Sequence, residues 1–379
     1  MLIGIESSAA SVEHAGDTTY MRELLTALAT LETPHQYRLY DIQTCPFYTH
    51  LPRSFVLRQL RQPHALLRYF TSLPLELRRR PVDILHVQYI LPIASAIPSV
   101  VTIHDLHFEH YPHHYHLHSR WWMKLLIRDA AHRADRIITG SQFSKEDICA
   151  RYGVKPEKIA VLPYGFGSRF RPNRDPRRAE QIRKKYGITT DAYLLFIGRF
   201  GDPRKNVNLL VEAYQSLGAE IARHCQLVIV GRPLGRQHQS LRAKAQALQV
   251  EGVRLTGFVS DDDLPALISD ATALVYPSLF EGFGLPVLEA MACGTPVVAS
   301  RAAAIQEVAG EAALLIDVHN NNELAAALRR LLSDPELRRH LSELGLKRSA
   351  LFSWRRNAQE TLAIYNEAYQ VFHATSPRS

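Results

Sequence analysis

Short apolar runs alternate with segments of helical spacing along the whole chain. The runs of the first half are Leu2 to Ile5, Tyr37 to Ile42, Ile84 to Val87, Val100 to Ile103, Arg136 to Thr139 and Ile159 to Leu162. Those of the second half are Tyr193 to Ile197, Leu227 to Val230, Val253 to Thr256, Ala273 to Tyr276, Pro296 to Ala299 and Ala313 to Ile316. Such alternation is typical of parallel sheets covered by helices. The pattern predicts an α/β protein with two Rossmann-like, doubly wound units.

The segment 165–176, GFGSRFRPNRDP, separates the two sets of runs and is rich in glycine, proline and charge. It is predicted to be an interdomain linker, and 379 residues are enough for two domains. We therefore expect an N-terminal domain at 1–170, a C-terminal domain at 171–353 and a final helical segment at 354–379. Because doubly wound sheets bind ligands beyond the carboxyl ends of their strands, the two domains are expected to face a central cleft.

Composition limits the class of protein and of partner. Four scattered cysteines without CxxC spacing predict neither a disulfide framework nor a zinc site. No run approaches the ~18 apolar residues that cross a bilayer, and the chain opens directly on a strand, so a cytoplasmic protein is expected. The net charge of +8 predicts an anionic partner. No nucleic-acid reader motif is present, so a phosphate-bearing substrate or a phospholipid surface is expected instead.

Two glutamates, Glu281 and Glu289, flank a glycine-bracketed loop in the segment FEGFGLPVLEAMACGTPVV. A strand precedes the loop, and Pro286 suits the first turn of a helix after it. This order directs backbone N–H groups and the positive end of a helix dipole at one point, where a phosphate fits. Carboxylates would repel that phosphate, so the glutamates are predicted to accept hydrogen bonds from hydroxyl groups beside it. A nucleoside-diphosphate sugar carries hydroxyls on both sides.

Two other strand ends carry polar residues. Arg199 and Lys205, in GRFGDPRKN after the run Tyr193 to Ile197, can bracket a diphosphate, although basic loops are often plain surface. His104 ends the run Val100 to Ile103; a lone histidine is usually structural, but this position favours a functional one. Asp105 points to the other face and is expected to be a cap.

These segments, together with VTIHDL at 101–106 and VLPYG at 161–165, resemble the retaining glycosyltransferases of family 4, which have the GT-B architecture. The match spans almost the whole chain. It implies that Glu281 and His104 are catalytic, with Glu281 bonding the transferred sugar and His104 contacting it near the reacting centre. It further implies a donor site formed by Arg199, Lys205, Phe283, Gly284, Leu285, Glu289 at the ribose, Val259 at the base, Gly165 on the cleft floor and Gly16.

The match at Gly16 is only partial. Gly16 and Tyr20 agree with the glycine-rich turn of the family, but Thr18 and Thr19 stand where it has a second glycine and an arginine, and Glu13 and His14 precede the turn.

The resemblance implies a hexosyltransferase that retains anomeric configuration without a metal or other cofactor. No carboxylate is a candidate for a covalent intermediate, which favours front-face attack. The expected partners are a nucleotide sugar, with GDP-mannose as the donor, and a glycan or lipid-linked glycan acceptor of bacterial polysaccharide assembly. Two alternatives stay open: transfer of glucose, galactose or N-acetylhexosamine from UDP, and a GT-B protein that is an inactive subunit or an epimerase.

Three further features have less specific interpretations. Seven histidines between His104 and His118 are expected to line a polar loop, with a metal site as the alternative. The arginine-rich stretch from Arg53 to Arg80 shows leucines at helical spacing. It is either an interfacial helix at the inner, anionic face of a membrane or a helix that covers the sheet. Trp121 and Trp122 are expected in a helix core rather than as a sugar-stacking platform.

Overall fold

The computed structural model describes residues 1–12, 16–60, 67–93, 97–115, 117–173, 175–199, 201–231 and 252–375. The chain divides into two compact units. Unit 1 comprises Met1–Gly165 and Ser353–Ser379, and unit 2 comprises Phe166–Phe352. The sequence suggested divisions after residues 170 and 353.

Unit 1 contains a seven-stranded parallel sheet in the order β3-β2-β1-β4-β5-β6-β7. Its strands are β1 (Leu2–Glu6), β2 (Gln36–Asp41), β3 (Phe55–Gln59), β4 (Ile84–Gln88), β5 (Ser99–Thr102), β6 (Arg136–Thr139) and β7 (Ile159–Val161). Its α-helices are Gly16–Ala29, Leu73–Arg79, His107–His110, Leu117–Arg133, Gln142–Tyr152 and Trp354–Thr375. The C-terminal helix Trp354–Thr375 packs on the helix Gly16–Ala29 and on β4, β5 and β6.

Unit 2 contains a six-stranded parallel sheet in the order β10-β9-β8-β11-β12-β13. Its strands are β8 (Ala192–Ile197), β9 (Cys225–Val230), β10 (Val253–Gly257), β11 (Ala273–Tyr276), β12 (Val297–Ser300) and β13 (Leu314–Ile316). Its α-helices are Pro176–Tyr186, Val207–Gln215, Ala219–His224, Leu264–Asp270, Leu285–Ala292, Ile305–Ala309, Asn321–Ser333 and Pro335–Ser349.

Both sheets follow the doubly wound Rossmann order, in which the strand order reverses next to the first strand. The reversal lies between β1 and β4 in unit 1 and between β8 and β11 in unit 2. The prediction of two doubly wound units is therefore confirmed. Their central strands are covered on both faces; every residue of β4, β5, β11 and β12 is buried, and apolar residues predominate in them.

The prediction of one helix through the arginine-rich stretch is wrong at Phe55–Gln59, which forms the edge strand β3 beside β2. Phe55 stacks on Tyr37 with ring centroids 4.2 Å apart, and this cross-strand pair stabilises the strand. Among the described residues of the stretch, Arg68–Ser72 is helical, and Arg68 itself is buried against Glu6 at 3.3 Å. The part of the stretch at 61–66 lies outside the described residues.

The expectation that Trp121 and Trp122 lie in a core is also wrong. Both belong to the helix Leu117–Arg133, whose buried side chains are Ile127, Ala130 and Ala131, and both tryptophans are exposed. The apolar pattern predicted the helix but not its orientation, because an apolar residue is not obliged to be buried.

Candidate functional site

The strand reversal of unit 2 brings Lys205, after β8, to Glu281, after β11. The Lys205 Nζ lies 2.5 Å from the Glu281 Oε1 and 2.7 Å from the Tyr276 hydroxyl. The Tyr276 hydroxyl in turn donates to the same Oε1 at 3.0 Å. The lysine and glutamate side chains are each only 15% exposed. The two residues that the sequence assigned to one ligand therefore form a nearly buried ion pair.

Local turn chemistry positions Lys205. The Asp202 side chain accepts from the Arg204 backbone N–H and caps the single 3₁₀ turn Pro203–Lys205. Asn206 follows with a φ of 52° and redirects the chain into the helix Val207–Gln215. Leu279 N–H donates to the Arg204 carbonyl at 2.7 Å, which ties this loop to the one that carries Glu281.

The charge of Lys205 is stabilised in this pair. Burial alone would lower the pKa of Lys205, but the nearby Glu281 carboxylate and the Tyr276 hydroxyl outweigh it, so the pKa lies above that of an ordinary lysine. Lys205 is therefore a cation at neutral pH.

A helix N-terminus adjoins the pair. Gly284, with φ 99° and ψ 49°, precedes the helix Leu285–Ala292, and a side chain would be strained at this φ. Phe283 is buried, with its ring edge-on to Phe352 at 5.9 Å. Glu289 lies inside the helix and is buried as well. Pro286 has no N–H and the Val287 N–H donates to the Gly284 carbonyl at 3.0 Å, which leaves the backbone N–H groups of Gly284 and Leu285 as the candidate anion-binding groups.

The remaining donor-site candidates of unit 2 also follow strands of the same sheet. Arg199 comes just after β8 and is exposed, whereas Val259 comes just after β10 and is buried. A Cβ added to Gly231 would lie 1.9 Å from the Gly198 carbonyl oxygen, so the ends of β8 and β9 touch through glycine backbone. Because the strands are parallel, all these residues lie at one edge of the sheet.

In unit 1, His104 is buried beyond the end of β5 and both of its ring nitrogens have partners. Its Nδ1 lies 2.5 Å from the Tyr164 hydroxyl and its Nε2 lies 2.6 Å from the Gln88 Oε1. An amide oxygen can only accept, so Nε2 carries the proton and Nδ1 accepts from Tyr164. Burial lowers the pKa of His104, an effect that Asp17 and Asp105 reduce in part. The imidazole is therefore neutral and held in one tautomer.

Gln88 was not identified from the sequence. It ends β4, next to His104. Of the side-chain nitrogen and oxygen atoms of these two residues, only the Gln88 Nε2 is buried without a hydrogen-bond partner among the described residues. Tyr89 follows it with a φ of 61°, an uncommon value for a non-glycine residue. The sequence contains a pattern that indicates Gln88, because Gln88 follows the run Ile84 to Val87 in the same way that His104 follows the run Val100 to Ile103.

Behind His104 runs a buried chain of polar side chains. His86 bonds the Tyr365 hydroxyl through Nδ1 at 2.7 Å and the Thr102 hydroxyl through Nε2 at 2.8 Å. Tyr20 reaches the same Thr102 hydroxyl at 3.0 Å, and its ring lies edge-on to His104 with centroids 4.6 Å apart. Burial, together with the neighbouring His104, lowers the pKa of His86 to about 3. These hydrogen-bonded side chains link β4, β5 and the C-terminal helix beneath His104.

The two glycines assigned to unit 1 differ in surroundings. Gly16 opens the helix Gly16–Ala29, is exposed, and has nothing within 4 Å of an added Cβ. Its neighbour Asp17 places Oδ1 3.8 Å from the His104 Nε2. At Gly165 an added Cβ would lie 2.2 Å from the Trp354 backbone nitrogen. Gly165 thus permits the close approach of the C-terminal helix.

The histidine-rich loop is held by bonds to protein groups. His107 bonds Tyr115 and the Asp105 side chain; Asp105, expected in a loop or as a cap, lies one residue before Leu106, the N-cap of the helix His107–His110. His110 bonds Asp147 at 2.8 Å. Over the described ranges no three His, Cys, Asp or Glu side chains gather as a metal would require, and residue 116 and the side chain of residue 114 lie outside them. The described cysteines are free thiols. None of the helices that the structure describes is long and apolar enough to cross a membrane.

The chain contains two sheets in the Rossmann order. The sheet of unit 2 carries an ion pair and a helix N-terminus preceded by glycine at its strand reversal. These features define a two-domain α/β protein of GT-B architecture. Family models match both parts: glycosyltransferase family 4 over residues 16–166 and glycosyl transferases group 1 over residues 178–348. The chain belongs to the glycosyltransferases of family 4 and is a hexosyltransferase.

Several relatives and solved structures are similar to this chain. The O-antigen chain mannosyltransferase B of Escherichia coli is 32% identical over 70% of this chain and 70% of its own length. The MMP alpha-(1->4)-mannosyltransferase of Mycolicibacterium hassiacum is 34% identical over 66% of this chain and 61% of its own. The sucrose-phosphate synthase of Thermosynechococcus elongatus has a TM-score of 0.79 at 23% identity, covering 99% of this chain and 100% of that one. Anabaena HepE, solved with UDP-glucose, has a TM-score of 0.75 at 18% identity, covering 96% and 99%.

Proposed function

We propose that the protein transfers mannose from GDP-mannose to a glycan or lipid-linked glycan, with retained anomeric configuration and no metal ion. The observation that carries the proposal is the ion pair between Lys205 and Glu281 beside the helix that begins at Leu285. One anion-binding and one hydroxyl-binding group side by side match the junction of a diphosphate and a sugar.

The charges of unit 2 suit departure of the diphosphate. As the bond from the anomeric carbon to the phosphate oxygen breaks, negative charge grows on that oxygen. Lys205, Arg199 and the backbone N–H groups of Gly284 and Leu285 stabilise it. Glu281 accepts a hydrogen bond from a sugar hydroxyl and stabilises the positive charge that grows on the ring. These cationic and dipolar groups take the place that a divalent metal would occupy.

The acceptor attacks from the side that the diphosphate leaves. Its hydroxyl oxygen forms the new glycosidic bond as the bond to phosphate breaks, and its proton passes to the departing phosphate oxygen. His104 is not the base in this scheme, because its lone pair at Nδ1 already accepts from Tyr164 and its Nε2 carries a proton that it donates to Gln88. His104 instead holds the Gln88 amide in place, and the buried Gln88 Nε2 is the donor to a substrate hydroxyl.

Mannose is favoured as the transferred sugar because the two relatives described above are both mannosyltransferases. A UDP-linked hexose is the second candidate, since HepE was solved with UDP-glucose. We further propose a cytoplasmic enzyme at the inner face of the membrane. Of the basic stretch between Arg53 and Arg80, the exposed Arg78, Arg79 and Arg80 are the described residues best suited to an anionic surface.

Donor binding tests the proposal. Melting temperatures measured with GDP-mannose, UDP-glucose and an ADP-sugar should rise with GDP-mannose, because a ligand that binds only the folded state stabilises it. Glu281→Gln should keep the response to GDP and lose most of the transfer rate. Asp270→Asn, which breaks the 2.9 Å ion pair with Arg183 at the other edge of the sheet, is the matched control and should keep both.

Transfer itself is then measured with radiolabelled GDP-mannose, with EDTA added, and the anomeric proton of the product is assigned by NMR. If only UDP-glucose raised the melting temperature, UDP-glucose would replace GDP-mannose as the proposed donor. A melting temperature that rises with no nucleotide sugar would refute donor binding. A rate that EDTA lowers would refute metal independence, and an inverted product would refute retention.

A further inference from the structure

One exposed surface of unit 1 is unusually apolar and aromatic. On the helix Leu117–Arg133, Trp121 is 70% exposed, Trp122 is 42% exposed and Leu125 is 58% exposed. We call these three residues the tryptophan face. Two adjacent exposed tryptophans form an apolar patch of the kind that marks an interaction site.

The helix has two opposed faces. At about 100° per residue, Trp121, Leu125 and Arg128 fall within an arc of about 60°. Ile127 and Ala130, which are buried in the core, point the opposite way. The tryptophan face is therefore turned away from the sheet that the helix covers, and the core provides no partner for it.

Basic residues flank the tryptophan face. Besides Arg128, the helix carries Arg120, Lys124 and Arg133. Lys124 bonds the Glu109 carboxylate at 3.1 Å and Arg133 bonds Asp129 at 2.8 Å, so Arg120 and Arg128 contribute most of the positive charge. Tryptophans bordered by lysine and arginine are the composition that an interfacial helix uses on an anionic bilayer. The rings enter the headgroup region and the long basic side chains reach phosphate.

We propose that the tryptophan face is the docking surface for an anionic phospholipid bilayer, on which the helix Leu117–Arg133 lies in the plane of the interface. The proposal builds on the membrane location suggested above but assigns it to a surface other than the arginine-rich stretch. The two surfaces are compatible, since Leu73 and Leu77 of the helix Leu73–Arg79 share one buried cluster with Ile127.

Vesicle binding tests the assignment with the whole protein. Vesicles of phosphatidylcholine, alone or mixed with phosphatidylglycerol, are titrated while tryptophan emission is followed, and bound protein is separated by flotation. The matched pair of variants is Leu125→Ser and Leu351→Ser, because both leucines are 58% exposed and Leu351 belongs to unit 2. Both variants keep all three tryptophans as probes.

Wild-type protein and Leu351→Ser should bind the anionic vesicles with a blue shift of emission and should bind neutral vesicles at least about tenfold more weakly. Leu125→Ser should bind about tenfold more weakly than Leu351→Ser. Arg128→Gln should weaken binding about fivefold. Thermal stabilisation by the nucleotide sugar should be the same in every variant, so a failed donor response would count against the proposed function and not against this surface.

Three outcomes would overturn the proposal. One is equal binding by Leu125→Ser and Leu351→Ser, and another is loss of binding only when Arg78, Arg79 and Arg80 are replaced. The third is an emission shift that follows protein concentration without vesicles, which would assign the tryptophan face to a second copy of the chain.

Discussion

The buried imidazole of His86 predicts that unit 1 loses stability in mild acid. His86 is enclosed by Tyr365, Thr102 and the ring of His104, with no carboxylate bonded to it. Its pKa is about 3 in the folded protein, against 6.5 for an ordinary histidine. The lowered pKa means that the unfolded chain takes up the proton first. The stability from the neutral ring is complete above pH 6.5 and is lost as the pH falls toward 3.

The size of the effect follows from these two values. Between about pH 7.5 and about pH 5, uptake of one proton by the unfolded state alone lowers the free energy of unfolding by about 2 kcal/mol. For a unit of this size the melting temperature should fall by about 4 to 8 °C. His104, whose pKa is also lowered by burial, adds a loss in the same direction.

Urea unfolding followed by tryptophan emission is the suitable assay. The three tryptophans, Trp121, Trp122 and Trp354, all lie in unit 1, so their emission reports this unit. His86→Asn keeps a hydrogen-bonding side chain that does not titrate. Its loss of stability between the two pH values should be smaller than that of the wild type by about 2 kcal/mol. His132→Asn, which removes an exposed imidazole, should behave as the wild type. Equal losses in the wild type and His86→Asn would refute the reasoning.

Two further substitutions test the contacts described above. Gly165→Ala should displace the C-terminal helix, lower the stability of unit 1 by about 3 kcal/mol and shift the emission of Trp354 to the red, whereas Gly16→Ala should change stability by less than about 0.5 kcal/mol. Equal melting temperatures for the two alanine variants would contradict the close approach at Gly165. Lys205→Met should cost unit 2 about 2 kcal/mol, below the value for a fully buried pair because both side chains are 15% exposed, and adding Glu281→Gln should restore part of it. Hydrogen exchange of unit 2 peptides measures this, and a double variant no more stable than the single one would contradict it. Because the pKa of Lys205 is raised, its contribution should be constant below the ordinary lysine value of 10.5 and lost only above it.

The strands and their polar ends were predictable because burial on both faces makes each central strand a continuous apolar run. That rule found β11 and β5, and hence the positions of Glu281 and His104. It failed at β3, an edge strand whose exposed positions carry Val56 and Gln59 and whose Leu57 also fits a helical period with the leucines that follow. Whether Trp121 is exposed was beyond the pattern, because exposure depends on which face of the helix meets the sheet.

Partners across long sequence separations were not predictable. The bond between His86 and Tyr365 joins residues 279 positions apart, and neither residue type indicates the other. Gly165 was assigned to ligand binding from its resemblance to a family motif, and the structure adds a second reason for glycine there, the backbone of Trp354. A glycine in a motif can therefore serve packing as well as function, and only the neighbouring atoms distinguish the two.

The pairing of Lys205 with Glu281 also changes the argument that first identified this loop. In the sequence analysis, the Glu281 carboxylate was expected to repel a phosphate bound beside it. It was therefore assigned to a hydroxyl group of the ligand. In the structure the carboxylate is neutralised by the same lysine that is expected to meet the phosphate. Both of its described bonds fall on Oε1, which leaves a sugar hydroxyl to bond at Oε2. Because Lys205 can bond more than one acceptor, it joins the sugar-binding and phosphate-binding groups into one charged unit. Replacing Lys205 should therefore impair recognition of both parts of the donor, whereas replacing Glu281 should impair recognition of the sugar.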